Sequence, residues 1–444
     1  MTSPWMTQYA SAFTGMTNCG PNLTATLDVI TKGIQNQLGF NEQAIFSLGD
    51  GVQRAVVNGV FDLFRLQTWS PDNILRLSYL AAQQLARTSE LLTSPQAANL
   101  AWQELSNKVE VFILVSNLES ILGLSPDVFL PLPELVERAY SLPAFEALWA
   151  VEGMGNYYAN LYWSRYGAPQ SLLLAENAQV PEKSLLMLHA GMGLAFAHHL
   201  LGRGSPFLIP DSPPNQFLSV VEEFVRLARN NAREGYLGPV IESLGLVTRD
   251  FYPEMVGSID RALRQAAPDL LGYYWHGIGR ALYFSRRYFL PVLSTVWTGV
   301  DNEAETAPER ENAMAGLTWA VALVNMRQPD IMEAALHTYV ESSPLQNAFA
   351  NGIASSLMMR HDTTPEAPFI SSFCQYQPAN PQQSQLWQRL ITKPCEDALN
   401  HYYPVLRDHA ALGEMFRYQD LAKLVARLEP QPGNLAGVGL VRRE

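Results

Sequence analysis

Four side chains set in otherwise apolar helical sequence could do chemistry: Glu152, His189, His276 and Arg280. Glu152, Asn156 and Asn160 fall at i, i+4 and i+8, a polar ladder on a helix otherwise made of Trp149, Val151, Met154, Tyr157, Leu161 and Trp163. His276 and Arg280 form the same i, i+4 pair within GYYWHGIGRALYF, and His189 lies one turn before Gly193 in LLMLHAGMGLAFAHHLL. A carboxylate or imidazole in such surroundings must be paired or reactive, because burying it alone is costly. One carboxylate and two imidazoles suit acid/base work, with an arginine to stabilise developing charge. Glu152, His189 and His276 would equally suit a zinc or non-haem iron ion. No HExxH or ExxH spacing is present, however, and a metal-free hydrogen-bonded core network is the preferred reading.

The elements that must position these residues are helices. Apolar residues recur at three-and-four spacing, as in Leu77, Leu80, Ala81 and Leu85, or Phe217, Val220, Val221, Phe224 and Leu227. Tight hairpin turns and strand–helix alternation are missing, so the class is all-α. Helix starts are marked by Ser70-Pro71-Asp72, Ser94-Pro95, Leu142-Pro143, Pro213-Pro214 and Ser343-Pro344. Two stretches, 202–214 and 361–385, read as long loops, and the tail from Pro430 reads as loosely attached.

A glycine pattern repeats within this helical sequence. Glu152-Gly153-Met154-Gly155, Ala190-Gly191-Met192-Gly193, Glu234-Gly235-Tyr236-Leu237-Gly238 and His276-Gly277-Ile278-Gly279 are followed by weaker echoes at Ala315-Gly316 and Asn351-Gly352. A period of about 40 residues fits an array of about six helix-hairpin repeats, curled into an open solenoid or a closed α/α toroid with a central cavity. A diverged relative at Gly49-Asp50-Gly51 would belong to N-terminal helices that cap the array. The expected organisation is an N-terminal helical region (1–140), glycine-marked repeats (141–364) and a C-terminal loop, helices and tail (365–444) joined to the repeats in one body.

Three clear GxG pairs forgo on the order of 6 kcal/mol relative to alanine, which something must offset. Close approach of neighbouring helices is the first explanation. The second is that Gly153, Gly191 and Gly277 clear room for a ligand, with Asn156, Tyr157 and Trp275 lining it. If the units curl round a common axis, Glu152, His189, Glu234 or Glu242, His276 and Arg280 converge on one site.

Composition limits the partners. The chain is 48% hydrophobic and only 16% charged, which excludes a disordered protein and leaves enough apolar sequence for a large core. A net charge of −12 argues against nucleic acid and anionic lipid as partners. Cys19, Cys374 and Cys395 form no zinc or CxxC spacing, and the N-terminal residues lack the pattern of a signal peptide. The most apolar stretches fall short of a transmembrane segment, so a cytoplasmic protein is expected, with homo-oligomers compatible. No P-loop, dinucleotide fingerprint or GxSxG elbow is present.

The ordered blocks VEGMGNYYA from Val151, LLMLHAGMGLAFA from Leu185, WHGIGRALYF from Trp275, ENAMAGLTWAVAL from Glu311 and NAFANGIASSLMMR from Asn347 carry a resemblance. Over 144–364 the chain resembles an uncharacterised bacterial family of unknown function found in enediyne and related natural-product biosynthetic gene clusters. Glu152, His189, Gly277, Gly279 and Arg280 are the family-like positions. His276 departs, since the family more often has Gln or Asp there. The resemblance implies an accessory biosynthetic protein for a hydrophobic polyene-type or polyketide-type small molecule, working beside other biosynthetic enzymes. Two functions remain: an enzyme acting on that molecule, or a non-catalytic carrier sheltering it.

Overall fold

The computed structural model describes residues 128–203, 208–285 and 296–429, together with scattered positions between 100 and 124. Among the described residues the structure is helical, without a β-strand. The principal helices are α1 (Leu132–Tyr140), α2 (Ala144–Tyr166), α3 (Leu185–His198), α4 (Pro214–Asn231), α5 (Leu237–Phe251) and α6 (Val256–Ala266). They continue as α7 (Leu271–Phe284), α8 (Val296–Glu303), α9 (Ala307–Asn325), α10 (Pro329–Ala335), α11 (Gln346–Thr363) and α12 (Pro368–Gln375).

Two kinds of helix alternate. α2, α3, α5, α7, α9 and α11 pack one on the next in that order. Most of their residues are buried on every side, as their nearly continuous apolar sequence requires. Helices α4 and α6 lie outside this row, pack on each other, and are amphipathic: α4 buries Phe217, Val221, Phe224 and Leu227 and turns its charged residues outward. The row also touches its own beginning. Arg360 on α11 donates to the carbonyl oxygens of Ala144 and Phe145 at the start of α2, and α11 contacts α3.

The glycines explain the row. A methyl group added at Gly191 would lie 1.8 Å from the Glu152 carbonyl oxygen, at Gly277 2.0 Å from that of Glu242, and at Gly316 1.9 Å from that of His276. Gly155 meets Leu188, Gly245 meets Tyr274 and Gly279 meets Ala313 in the same way. Each crossing brings one helix backbone onto the next, and van der Waals contact there offsets the conformational cost of glycine. The ligand role expected for Gly153, Gly191 and Gly277 is therefore corrected. The space beside Gly191 and Gly277 is occupied by main chain, and that beside Gly153 by Leu118 and the Leu114 carbonyl.

The third copy of the pattern is also corrected. Gly235, at φ +79°, and Gly238 belong to the connection and first turn leading into α5, where both meet the Ala410–Gly413 region. The counterpart inside α5 is Glu242-Ser243-Leu244-Gly245. Ser243 stands where the other helices have glycine and donates its hydroxyl to the Ala190 carbonyl at 2.8 Å.

The stretch 361–385 is not a long loop. Thr363 ends α11, and α12 and a further helix (Pro381–Trp387) follow, each with proline in its first turn, where its missing N–H costs nothing. The C-terminal segment Leu412–Phe416 lies against the row: Gly413 donates to the Gly235 carbonyl at 2.9 Å, and Glu414 accepts from Tyr273 at 2.8 Å. The markers at Ser70-Pro71-Asp72 and Ser94-Pro95, the Gly49 segment, Cys19 and the tail from Pro430 lie outside the described residues.

Candidate functional site

Three of the four predicted side chains meet inside the row. Arg280 on α7 donates from Nη2 to both oxygens of Glu152 on α2, at 2.6 and 2.9 Å, and from Nη1 to Glu242 on α5 at 3.1 Å. The other Glu242 oxygen stands 3.4 Å from His276 Nδ1. Glu152, Glu242, His276 and Arg280 are all buried, so four ionisable groups form one chain in a water-excluded interior.

The network is pinned from behind. Gly191, Gly277 and Gly316 press on the backbone carbonyls of Glu152, Glu242 and His276, three of its own members. Aromatic rings close its flank: the Arg280 guanidinium lies 4.9 Å from the Trp319 ring centroid, and the His276 ring meets Trp319 and Phe416 edge-on at 6.1 and 6.2 Å. Phe416 reaches this place from the C-terminal segment.

Electrostatics separates the two carboxylates. Burial holds Glu152 above the ordinary carboxylate range, against the pull of Arg280, and the charge of Glu242 adds to the rise. Burial acts on Glu242 as well, but Arg280 and His276 outweigh it and hold that carboxyl below the ordinary range. Burial would lower Arg280, and the two carboxylates raise it instead. An ionised Glu242 is an acceptor, so it takes the Nδ1–H of His276. In the neutral imidazole that leaves the lone pair on Nε2.

That Nε2 is buried and has no protein partner among the described residues, and neither do Arg280 Nε and Trp319 Nε1. A carboxylate-oriented imidazole with an unpartnered Nε2 is the arrangement of a general base, and unpartnered N–H groups such as those of Arg280 and Trp319 suit a developing negative charge.

The remaining candidates are placed otherwise. His189 makes its ring contacts away from the network: Nδ1 meets the Leu185 carbonyl at 2.6 Å, Nε2 accepts from the Arg233 backbone N–H at 3.1 Å, and the ring stacks on Tyr236. Burial, with help from the charge of Arg233, lowers it to about 3, so it is a neutral side chain tying α3 to the start of α5. Glu234 is exposed in the preceding turn, and Glu242 takes the place proposed for either. Asn156 accepts from Asn160 at 2.9 Å. Tyr157 is half-buried on α2. The indole N–H of Trp275 donates to Asp260 on α6 at 2.9 Å and ties the inner row to an outer helix.

Among the described residues, no group of three or more His, Cys, Asp and Glu side chains is arranged to hold a metal ion. Glu152, His189 and His276 do not assemble as a ligand set, since Arg280 takes both Glu152 oxygens and backbone groups take both His189 nitrogens. Among the same residues one helical stretch, Glu182–Gly202, is long and apolar enough to cross a membrane, and most of it is buried within the protein.

Sequence reasoning missed Trp319 and Phe416 and named Glu242 only as an alternative. For Glu242 a signal existed: it precedes Gly245 by three positions, as Glu152 precedes Gly155. Comparison with protein families, curated proteins and solved structures finds no match to this chain.

Proposed function

We propose that the protein is an enzyme acting on a hydrophobic small molecule, with His276 as general base, Glu242 as the group that orients it, and the N–H groups of Arg280 and Trp319 as stabilisers of negative charge. The observation that carries this reading is the buried Nε2 of His276, without a protein partner among the described residues while Nδ1 faces Glu242. Glu152 has a positioning role, holding Arg280 in place through two hydrogen bonds. The reading includes closure of the six inner helices into an α/α array round this centre, which the contacts of α11 with α2 and α3 support. The resemblance to proteins of enediyne-type gene clusters suggests a polyene or polyketide as the molecule.

The test uses an organic extract of cells that make the protein, incubated with purified wild-type protein or His276→Gln and followed by untargeted mass spectrometry. Compounds converted by the wild type and left unchanged by His276→Gln support the enzyme. Compounds bound by both and altered by neither point to a carrier. If nothing is converted or bound, both readings fail.

A further inference from the structure

Arg360, two turns beyond Gly352 on α11, is a buried guanidinium outside the central network. Its Nη1 donates to the carbonyl oxygens of Ala144 at 3.0 Å and Phe145 at 3.3 Å, in the first turn of α2. Its Nε and Nη2, the two N–H groups of the side-on fork, have no protein partner among the described residues. The guanidinium carbon lies 5.2 Å from the ring centroid of Phe145 and 5.3 Å from that of Phe369, a residue of the first turn of α12. Neither helix is capped by a side chain, since Pro143 and Ala367 occupy the capping positions.

A buried cation therefore sits beside two positive helix ends, each equivalent to roughly half an elementary charge. Among the described residues, nothing hydrogen-bonded to it supplies the opposite charge. Arg327 repels it and is itself bonded to Glu110 at 2.6 Å, while Glu146 and Glu110 attract it without a hydrogen bond to it among the described residues. Burial, followed by Arg327, pushes Arg360 down to about 9. Arginine ordinarily keeps its charge in any protein environment, so two buried N–H groups without a partner among the described residues call for an acceptor.

We propose that the unpartnered Nε–Nη2 edge of Arg360, between the amino ends of α2 and α12, is a carboxylate-binding site. A carboxylate matches the fork with two parallel N–H···O bonds, and the Phe145 and Phe369 rings flank the guanidinium that would hold it. It also brings a single negative charge to a place already holding Glu110 and Glu146, where a doubly charged oxyanion would be poorly balanced. The carboxylate is either a small free acid or the acidic end of an apolar molecule.

Saturation-transfer NMR on the full-length protein with formate, acetate and decanoate tests this, with sulfate as the control anion. Saturable transfer to at least one carboxylate, undiminished when an excess of sulfate is added as competitor, is the expected result. Formate alone identifies a small free acid, whereas decanoate displaced by formate identifies the acidic end of an apolar ligand. Arg360→Lys keeps the charge and loses the fork, and binding should weaken about tenfold or more. Phe369→Leu keeps Arg360 and removes one aromatic flank; it serves if Arg360→Lys fails to fold, and weakened binding is again expected. Absence of saturable binding of all three acids to the wild type overturns the site, as does undiminished binding by either folded variant.

Discussion

Arg280 on α7 holds both carboxylate oxygens of Glu152 on α2, at 2.6 and 2.9 Å, across 128 positions of sequence. Because Arg280 also binds Glu242, deleting one acid leaves the cation partly neutralised, whereas deleting the cation strands two acids. Arg280→Met should therefore destabilise more than Glu152→Gln, with about 3–5 kcal/mol expected for an unpaired buried charge. The double variant Glu152→Leu Arg280→Met should recover part of that loss. Urea unfolding of all three checks the order; equal losses for the two single variants would contradict it.

Gly191→Ala, Gly277→Ala and Gly316→Ala should each cost more than about 3 kcal/mol, because the new methyl group would overlap a carbonyl oxygen that cannot rotate away. Gly257→Ala on α6 is the contrasting case. Its nearest neighbour is the end of the Arg261 side chain at 3.5 Å, so alanine there should stabilise by about 0.5–1 kcal/mol. Thermal melts of the four variants separate crossing glycines from replaceable ones.

His189 gives an acid dependence. Folding lowers it to about 3 while the unfolded chain titrates near 6.5, so the unfolded state takes up a proton first as pH falls. Its contribution is complete at pH 7 and is lost between about pH 6.5 and 3, with a slope near 1.4 kcal/mol per pH unit for one proton. The stability difference between wild type and His189→Gln should shrink steadily from pH 7 to pH 4. A constant difference would show that the folded protein binds the proton as readily as the unfolded chain.

Asp362 on α11 acts in the opposite direction. Burial raises it to about 6, against a hydrogen bond from Tyr403 and the charge of Arg407, while Glu182 adds to the rise. The native state keeps a proton that the unfolded chain has lost, so stability falls as pH rises from about 4 to about 6 and stays lower above that. Asp362→Asn retains an acceptor for Tyr403 and should stabilise at pH 7 by on the order of 2 kcal/mol, with little gain at pH 4. Calorimetry at the two pH values measures the difference.

The helical class and the row of inner helices were legible because sequences such as LLMLHAGMGLAFA have no polar face, and because the GxG pairs recur at crossings. The third register was misread for a physical reason. A serine can replace glycine where its hydroxyl donates to the facing carbonyl, as Ser243 does to Ala190, and the conspicuous Gly235 answers to a turn instead. Glu152, His276 and Arg280 were found because charge in an apolar helix demands a partner. His189 obeyed the same rule with backbone partners, Leu185 and Arg233, which side-chain spacing does not reveal. Phe416 comes from a segment well over 100 positions beyond His276, and nothing local to either announces the contact.

The contacts of Gly191, Gly277 and Gly316 with the carbonyls of Glu152, Glu242 and His276 set where inheritance can act on this protein. A mutation in an outer helix such as α4 or α6 meets solvent on one side and can accumulate with little effect on the centre. At the crossings, the ionisable residue of one helix and the glycine of the next are bound as a pair, so neither backbone can drift alone. Divergence within the inner row should therefore spare these glycines even where the facing side chain changes, because the carbonyl they meet stays in place.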